Sequence, residues 1–180
     1  GMTPFEVVPY TEQKRAMNAL NNYLFANDAF VFSPDILKLL QSEKRAASYG
    51  NSDDDPKVHD RVLRMQMSAL SFILHPRVMK RLTNSSKYGN EYLPDEVLQD
   101  IFDGIFVARE IPNTFKMNLQ SAYVDGLIAA MADERYDEIS RSAIFNSLIK
   151  IRNYSNSSYG NKMVKGHFDY LNWKVNNALK

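Results

Sequence analysis

The chain has 180 residues, of which 44% are hydrophobic and 12% aromatic, so it is long enough for one domain with a substantial core. Lysine and arginine number 22 against 21 aspartates and glutamates, which leaves a formal charge of +1 and argues against a dedicated nucleic-acid-binding protein. The absence of cysteine excludes disulfides, thiolate metal sites and cysteine nucleophiles. No apolar run approaches the roughly 18 residues of a membrane span, and we expect neither a span nor a signal peptide.

The N-terminal part of the chain predicts a lead-in followed by two helices. Gly1 before Met2 resembles the remnant of a cleaved tag, and we expect residues 1–9 to form an extended lead-in to a single α-helical domain over residues 10–180. Apolar residues at helical spacing predict a first helix over Thr11–Phe25. A serine cap followed by proline at the first helical position predicts a short second helix, Pro34–Gln41.

The segment Pro56–His75 carries the clearest helical pattern. Two adjoining apolar stripes follow each other at steps of three and four, and they predict a helix with a wide buried face. One stripe consists of Val58, Val62, Met65, Ala69 and Phe72, and the other of Leu63, Met67, Leu70 and Leu74. Pro76 should break or kink the helix, because its ring clashes with the preceding turn. Val78–Leu82 then adds a further turn or two.

Four further helices are predicted in the second half of the chain, and no segment alternates long enough to require a strand. They are Leu93–Phe106, Thr114–Ala132, Arg141–Tyr154 with Ser140 as its cap, and Asn161–Leu179. Gly126 in mid-helix costs about 1 kcal/mol relative to alanine, which close packing against a neighbouring helix would explain. The sequence therefore predicts an all-α fold: an irregular bundle of six to seven helices in a single domain, built around Pro56–His75 and Thr114–Ala132.

The sequence contains no recognisable catalytic or cofactor motif. It lacks HExxH, GxGxxG, a P-loop and the G-x-S-x-G of a nucleophile elbow, although a Ser-His-Asp set assembled in space stays open. Asn51, Asp53 and Asp55 match the first ligands of a calcium loop, but Pro56 replaces the required glycine and Val62 the bidentate glutamate. Acidic residues near a helix N-terminus explain the same segment.

Three histidines are the remaining candidates for chemistry. His59, His75 and His167 show no pair at i+3 or i+4, so no helix presents two histidines to a metal. A composite site of His59-Asp60 with His167 and Asp169 is one alternative. The other is that His167 is partly buried and needs a partner for its N–H, either a backbone carbonyl or a carboxylate such as that of Asp60. We predict no catalytic and no metal-binding residue in this chain.

Trp173 is the only tryptophan of the chain. It lies off the main apolar stripe of the last predicted helix, which fits a boundary position with one edge in water. An anchor for a partner domain is the alternative.

Segments spread from Tyr10 onward form a family-like pattern. They are Glu12–Ala16, Leu20-Asn21, Leu24-Phe25, Arg61, Met65-Gln66, Val78–Leu82, Leu119–Val124, and His167 with Leu171–Leu179. In these residues the chain resembles the C-terminal helical region of the large secreted zinc-dependent metallopeptidases of Bacteroidetes, which carry helical domains around a metzincin-like core. It departs from their pattern at Met117-Asn118, where they often have an arginine, and at Phe30 and Phe32, where they often have a tryptophan.

The resemblance implies a role without catalysis of its own. In such peptidases zinc is held by an HExxH helix and a further histidine, and none of that motif is present here. We therefore expect an accessory domain whose partner is the catalytic domain upstream in the same polypeptide, with zinc in the parent protein only. An extracellular, periplasmic or cell-surface location follows from the resemblance alone. Structural polar anchors are expected at His167, Asp60, Gln66 and Gln120.

A second class of function remains open from the sequence. The chain also fits a stand-alone helical interaction module without enzymatic activity, which would bind a protein or peptide in a groove between helices. Neither alternative assigns nucleic-acid binding.

Overall fold

The computed structural model describes residues 56–85, 93–107, 114–157 and 165–180, together with Arg15, Ala19, Tyr23, Leu37 and Leu40. The chain divides into two compact units, Gly1–Ser33 and Pro34–Lys180. In the first unit Arg15, Ala19 and Tyr23 are helical and exposed. The predicted domain boundary at residue 10, the Asn51–Asp55 loop and the side chain of His59 lie outside the described residues.

The described part of the second unit consists of six α-helices and one π-helical turn, with no strand among the described residues. The prediction of an all-α fold is therefore confirmed. Leu37 and Leu40 are also helical and buried, in the segment where a short helix was predicted. The helices are α1 Pro56–Ile73, α2 Pro76–Ser85, α3 Pro94–Phe102 continued by the π turn Asp103–Val107, α4 Thr114–Met131, α5 Glu138–Ser157 and α6 Lys165–Ala178.

Proline marks the starts of the first three described helices. Pro56, Pro76 and Pro94 each occupy the first helical position, where the missing N–H costs nothing and the fixed φ suits the helix. Pro76 ends the predicted long helix, as expected. The segment after it is a full helix of 10 residues, longer than the turn or two predicted.

The start of α5 corrects one predicted cap. The structure begins the helix at Glu138, and the carboxylate Oδ1 of Asp137 accepts from the backbone N–H of Ser140 at 2.8 Å. Asp137 is therefore the cap, because its side chain satisfies one of the N–H groups that the first turn leaves without a helical partner. Ser140, predicted as the cap, lies inside the helix and is buried.

Helix α5 is the centre of the described bundle, since it contacts α2, α3, α4 and α6. Its residues Ile144, Leu148 and Ile151 are fully buried, as their helical spacing predicted. The sequence pattern favoured α1 and α4 for this central role.

Among the described residues, no helix combines the length and the apolar character that crossing a membrane requires.

Helices α1 and α4 approach each other closely at Gly126. A Cβ added to this glycine would lie 2.7 Å from Cδ1 of Leu74, a residue just past the end of α1, so the absence of a side chain lets the two helices pack together. The prediction that Gly126 marks a close helix contact is confirmed.

Candidate functional site

Two carbonyl groups at the end of α3 are the starting point of a buried polar cluster. The last carbonyls of a helix have no intrahelical partner and need donors from elsewhere. In the π turn, Ile105 O accepts from Nε2 of Gln120 at 2.9 Å, and Phe106 O accepts from the hydroxyl of Tyr154 at 2.6 Å. Side chains of α4 and α5 thus cap the end of α3, far from it in sequence.

His167 completes this cluster from the first turn of α6. Its Nε2 lies 2.8 Å from Oε1 of Gln120. Because the Ile105 carbonyl only accepts, Gln120 must direct its NH2 group there and its oxygen toward the histidine. The imidazole therefore carries its proton on Nε2 and donates to Gln120, which leaves a lone pair on Nδ1. We call the chain of groups from His167 through Gln120 to Ile105 O the relay.

Aromatic rings lie beside the relay. Phe102 and Phe106 stack with centroids 5.3 Å apart, and Tyr154 meets the rings of Phe102, Phe106 and Phe168 edge-on at 5.7 to 5.8 Å. The ring of His167 lies 5.3 Å from that of Phe168. Gln120 and Phe168 are buried, while His167 itself is half-buried. The relay thus lies in an apolar setting, where hydrogen bonds are strong and unpaired polar groups are costly.

Burial sets the ionisation of His167. Desolvation lowers the pKa of its imidazole below the usual value of 6.5, and no charged group contributes to the shift. Burial disfavours the charged form of histidine, so the ring is neutral at pH 7. This agrees with the single N–H that the relay requires.

A second histidine occupies the corner between α1 and α2. Nδ1 of His75 accepts from the backbone N–H of Arg77 at 3.1 Å, which satisfies one of the free donors at the start of α2. Burial lowers the pKa of His75, the charges of Arg135 and Arg77 lower it further, and Asp133 raises it. Like His167, this residue is held in its neutral form.

The turn between α4 and α5 supplies the charges near His75. The carboxylate of Asp133 accepts from the guanidinium of Arg135 at 2.7 and 3.0 Å, and these bonds lower the pKa of Asp133 to about 2. The guanidinium of Arg141 donates to the backbone carbonyl of Asp133 at 2.8 Å. Short-range bonds therefore fix this turn.

The structure brings together two of the four predicted anchors, His167 and Gln120. Gln66 is buried in α1, and Asp60 lies in the same helix with its side chain outside the described residues. The partner of His167 is the side-chain amide of Gln120, whereas the sequence suggested a carboxylate or a backbone carbonyl. Sequence reasoning missed Tyr154 and the π turn, because the hydrogen bond between them spans 48 positions.

Comparison with known protein families gives one match. A family model described as Met-zincin covers residues 1–112, which is more than half of the chain. The chain belongs to the Met-zincin family. The predicted relation to zinc metallopeptidases of the metzincin kind is confirmed. No curated protein and no solved structure matches the chain.

The described side chains do not fit the zinc that the Met-zincin family implies. They include no group of three or more histidine, cysteine, aspartate or glutamate residues placed to hold a metal ion. Nδ1 of His75 and Nε2 of His167 are each used in a hydrogen bond, and Asp169 is exposed and paired with Lys165 at 3.7 Å. No catalytic step through zinc is therefore assigned to these residues.

An exposed aromatic pair lies on the outer face of α6 in this Met-zincin chain. The rings of Tyr170 and Trp173 are nearly parallel, with centroids 6.3 Å apart, and Trp173 is 61% exposed. Nζ of Lys174 lies 4.7 Å from the centroid of Tyr170 and 2.5 Å from Oδ1 of Asp125. This salt bridge ties α6 to α4 beside the pair. The Trp173 ring is therefore in contact with solvent, which agrees with its position off the apolar stripe.

Proposed function

We propose that this chain is a non-catalytic helical accessory domain of an extracellular zinc-dependent metallopeptidase, and that an HExxH segment outside these 180 residues hydrolyses the peptide bond. The observation that carries the proposal is the Met-zincin match over residues 1–112 in a sequence that lacks the HExxH motif. Zinc peptidases of the metzincin kind use that motif to hold the metal and to supply the general base. The partner of this domain is then the catalytic domain of the same polypeptide.

The use of the polar side chains supports this role. The imidazoles of His75 and His167 are the obvious catalytic candidates. The first caps a helix, and the second belongs to the relay. Tyr154 and Gln120 bind backbone carbonyls of the π turn. Each of these contacts fixes one helix against another or starts a helix, which is what a rigid supporting domain requires.

The native coding sequence upstream of Met2 tests the proposal most directly. We expect an open reading frame that continues into a segment with HExxH. A native stop codon before Met2 would contradict the accessory-domain proposal and would favour the stand-alone interaction module.

The purified chain provides the biochemical test. We expect that it neither cleaves casein nor retains stoichiometric zinc after dialysis, with an active zinc endopeptidase as the positive control in both assays. Cleavage of casein by the pure chain, abolished by a zinc chelator, would overturn the proposal.

The interaction module remains the second candidate, and the exposed pair of Tyr170 and Trp173 favours it. Aromatic side chains are enriched where proteins bind partners. The same pair is also compatible with a contact to a catalytic domain, so the reading frame upstream decides between the two functions.

A further inference from the structure

The relay connects the first turn of α6 to the rest of the bundle through one titratable group. His167 belongs to α6, Gln120 to α4 and Ile105 to the π turn after α3, so two hydrogen bonds join three elements. At the other end of α6, the link to α4 is the salt bridge between Lys174 and Asp125. Among the described residues, His167 supplies the hydrogen bond that attaches the first turn of α6 to the bundle.

We propose that the first turn of α6 is a latch that protonation of His167 releases. A proton from solvent binds the free lone pair on Nδ1, while the N–H on Nε2 remains. The ring then carries a positive charge and a second N–H, and both favour contact with water over the apolar setting of the relay. Hydration requires the first turn of α6 to move away from Gln120. This device is independent of the function proposed above.

Among the described residues, the groups that face His167 offer the cation no counter-charge. Helix α4 presents the neutral amide of Gln120, the π turn presents a carbonyl already bound by Gln120, and the hydroxyl of Tyr154 in α5 is donated to Phe106. On α6 itself, Lys165 and Asp169 are exposed and paired with each other. The lowered pKa of His167, caused by burial alone, agrees with this arrangement.

The direction and size of the pH effect follow from linkage. In the released state the imidazole is hydrated and takes its ordinary pKa of about 6.5, whereas the pKa in the latched state is lower. The latch is thus intact above the released-state pKa. Below it, the ratio of released to latched molecules rises by up to tenfold per pH unit, and it levels off below the latched-state pKa.

Hydrogen exchange of the full chain tests this device. The amides of Asp169, Tyr170 and Leu171 report on the first turn of α6, because their helical acceptors lie four residues earlier. After correction for intrinsic exchange rates, we expect their protection to fall by up to tenfold per pH unit below about pH 6.5. Protection in the centre of α5 should remain constant over the same range. Flat protection in α6, or parallel losses in α5 and α6, would overturn the proposal.

Two variants make the test specific. In His167→Gln the amide can still donate to Gln120 but cannot titrate, so the protection of α6 at neutral pH should persist and its pH dependence should vanish. His75→Gln removes a second histidine with a lowered pKa and should leave the pH dependence of α6 unchanged. An unchanged slope in His167→Gln would refute the latch.

If His167→Gln does not fold, a measurement on the wild-type chain still tests the proposal. Imidazole NMR signals of His167 should show the Nε2–H tautomer and a titration midpoint below that of a hydrated histidine. The Nδ1–H tautomer or a midpoint at or above the ordinary value would contradict the proposal.

Discussion

The His75 corner and the His167 relay use the same residue type in opposite ways. His75 accepts a hydrogen bond through Nδ1 from Arg77, two positions away. His167 donates through Nε2 to Gln120, 47 positions away. Both rings are held neutral by burial. The corner therefore stabilises the start of one helix, whereas the relay stabilises the packing between helices.

This comparison predicts which contacts matter most for stability. A bond between near neighbours forms partly through local geometry, and its loss affects mainly one helix terminus. A bond between distant helices leaves a buried partner unsatisfied when one side is removed. Both hydrogen bonds should contribute less to the free energy of unfolding than the buried apolar side chains through which the helices pack.

Truncation of that apolar layer should have the largest effect. Leu70 of α1 is 3% exposed, and Leu70→Ala should lower the free energy of unfolding by about 2–5 kcal/mol, as for other buried leucines. Urea unfolding followed by circular dichroism measures this change. Met67→Ala on the same helix is the control. Although Met67 was predicted on an apolar stripe, the structure leaves it exposed, so the substitution should cost little. A near-neutral Leu70→Ala would show that α1 does not pack as described.

Removal of the relay should rank second. His167→Ala leaves Oε1 of the buried Gln120 without its donor, which costs about 1–3 kcal/mol, while His167→Gln should cost less because its amide can replace the N–H. Thermal unfolding at neutral pH compares the two variants. If His167→Ala leaves the melting temperature unchanged, the relay is not a stabilising contact, and an exposed contact of His167 to a partner becomes the better account.

Removal of the cap at the His75 corner should cost less. His75→Ala loses the acceptor for Arg77 N–H, and cap substitutions of this kind cost about 1 kcal/mol. Because the folded-state pKa of His75 lies below the unfolded value of 6.5, its contribution is fully present above that value and is lost as the pH falls through the folded-state pKa. Urea titrations of the wild type and His75→Ala at neutral and mildly acidic pH should therefore converge in acid. A constant difference would contradict the assignment of His75 as a neutral acceptor.

Substitution of the exposed aromatic pair should have the smallest effect. Trp173→Ala removes a side chain that is 61% exposed, and surface changes of this kind usually stay within about 0.5 kcal/mol. Chemical denaturation monitored by circular dichroism suits the measurement, since the only tryptophan is lost. A cost comparable to that of His167→Ala would show that the ring is part of the α6 packing.

The helices of the second unit could be predicted from local signals. Prolines at the first positions of α1, α2 and α3 fixed three starts, and the buried face of α5 followed from the spacing of Ile144, Leu148 and Ile151. The cap of α5 was misplaced because Asp137 and Ser140 are both good capping residues, and only the three-dimensional course of the chain selects one of them.

The relay could be predicted only in part. A histidine next to Phe168 and Leu171 suggests burial, and burial requires a partner, but nothing in the sequence points from His167 to Gln120. The π turn gave no signal at all, since its five residues continue the helical pattern of α3. Its partners Gln120 and Tyr154 lie 15 and 48 positions away along the chain, so its stability depends on the assembled bundle.

The π turn determines how many residues the last turn of α3 contains. Five residues between Asp103 and Val107 complete a wider turn than α-helical geometry uses. Deletion of one residue would let the segment relax into an ordinary α-helix, and the backbone carbonyls of Ile105 and Phe106 would then leave their present positions. The side chains of Gln120 and Tyr154 would then lose the hydrogen bonds that they donate to these carbonyls. The π turn thus sets the positions of the two carbonyls that join α3 to α4 and α5. Insertions or deletions in this turn should therefore be tolerated far less than those in the surface turns.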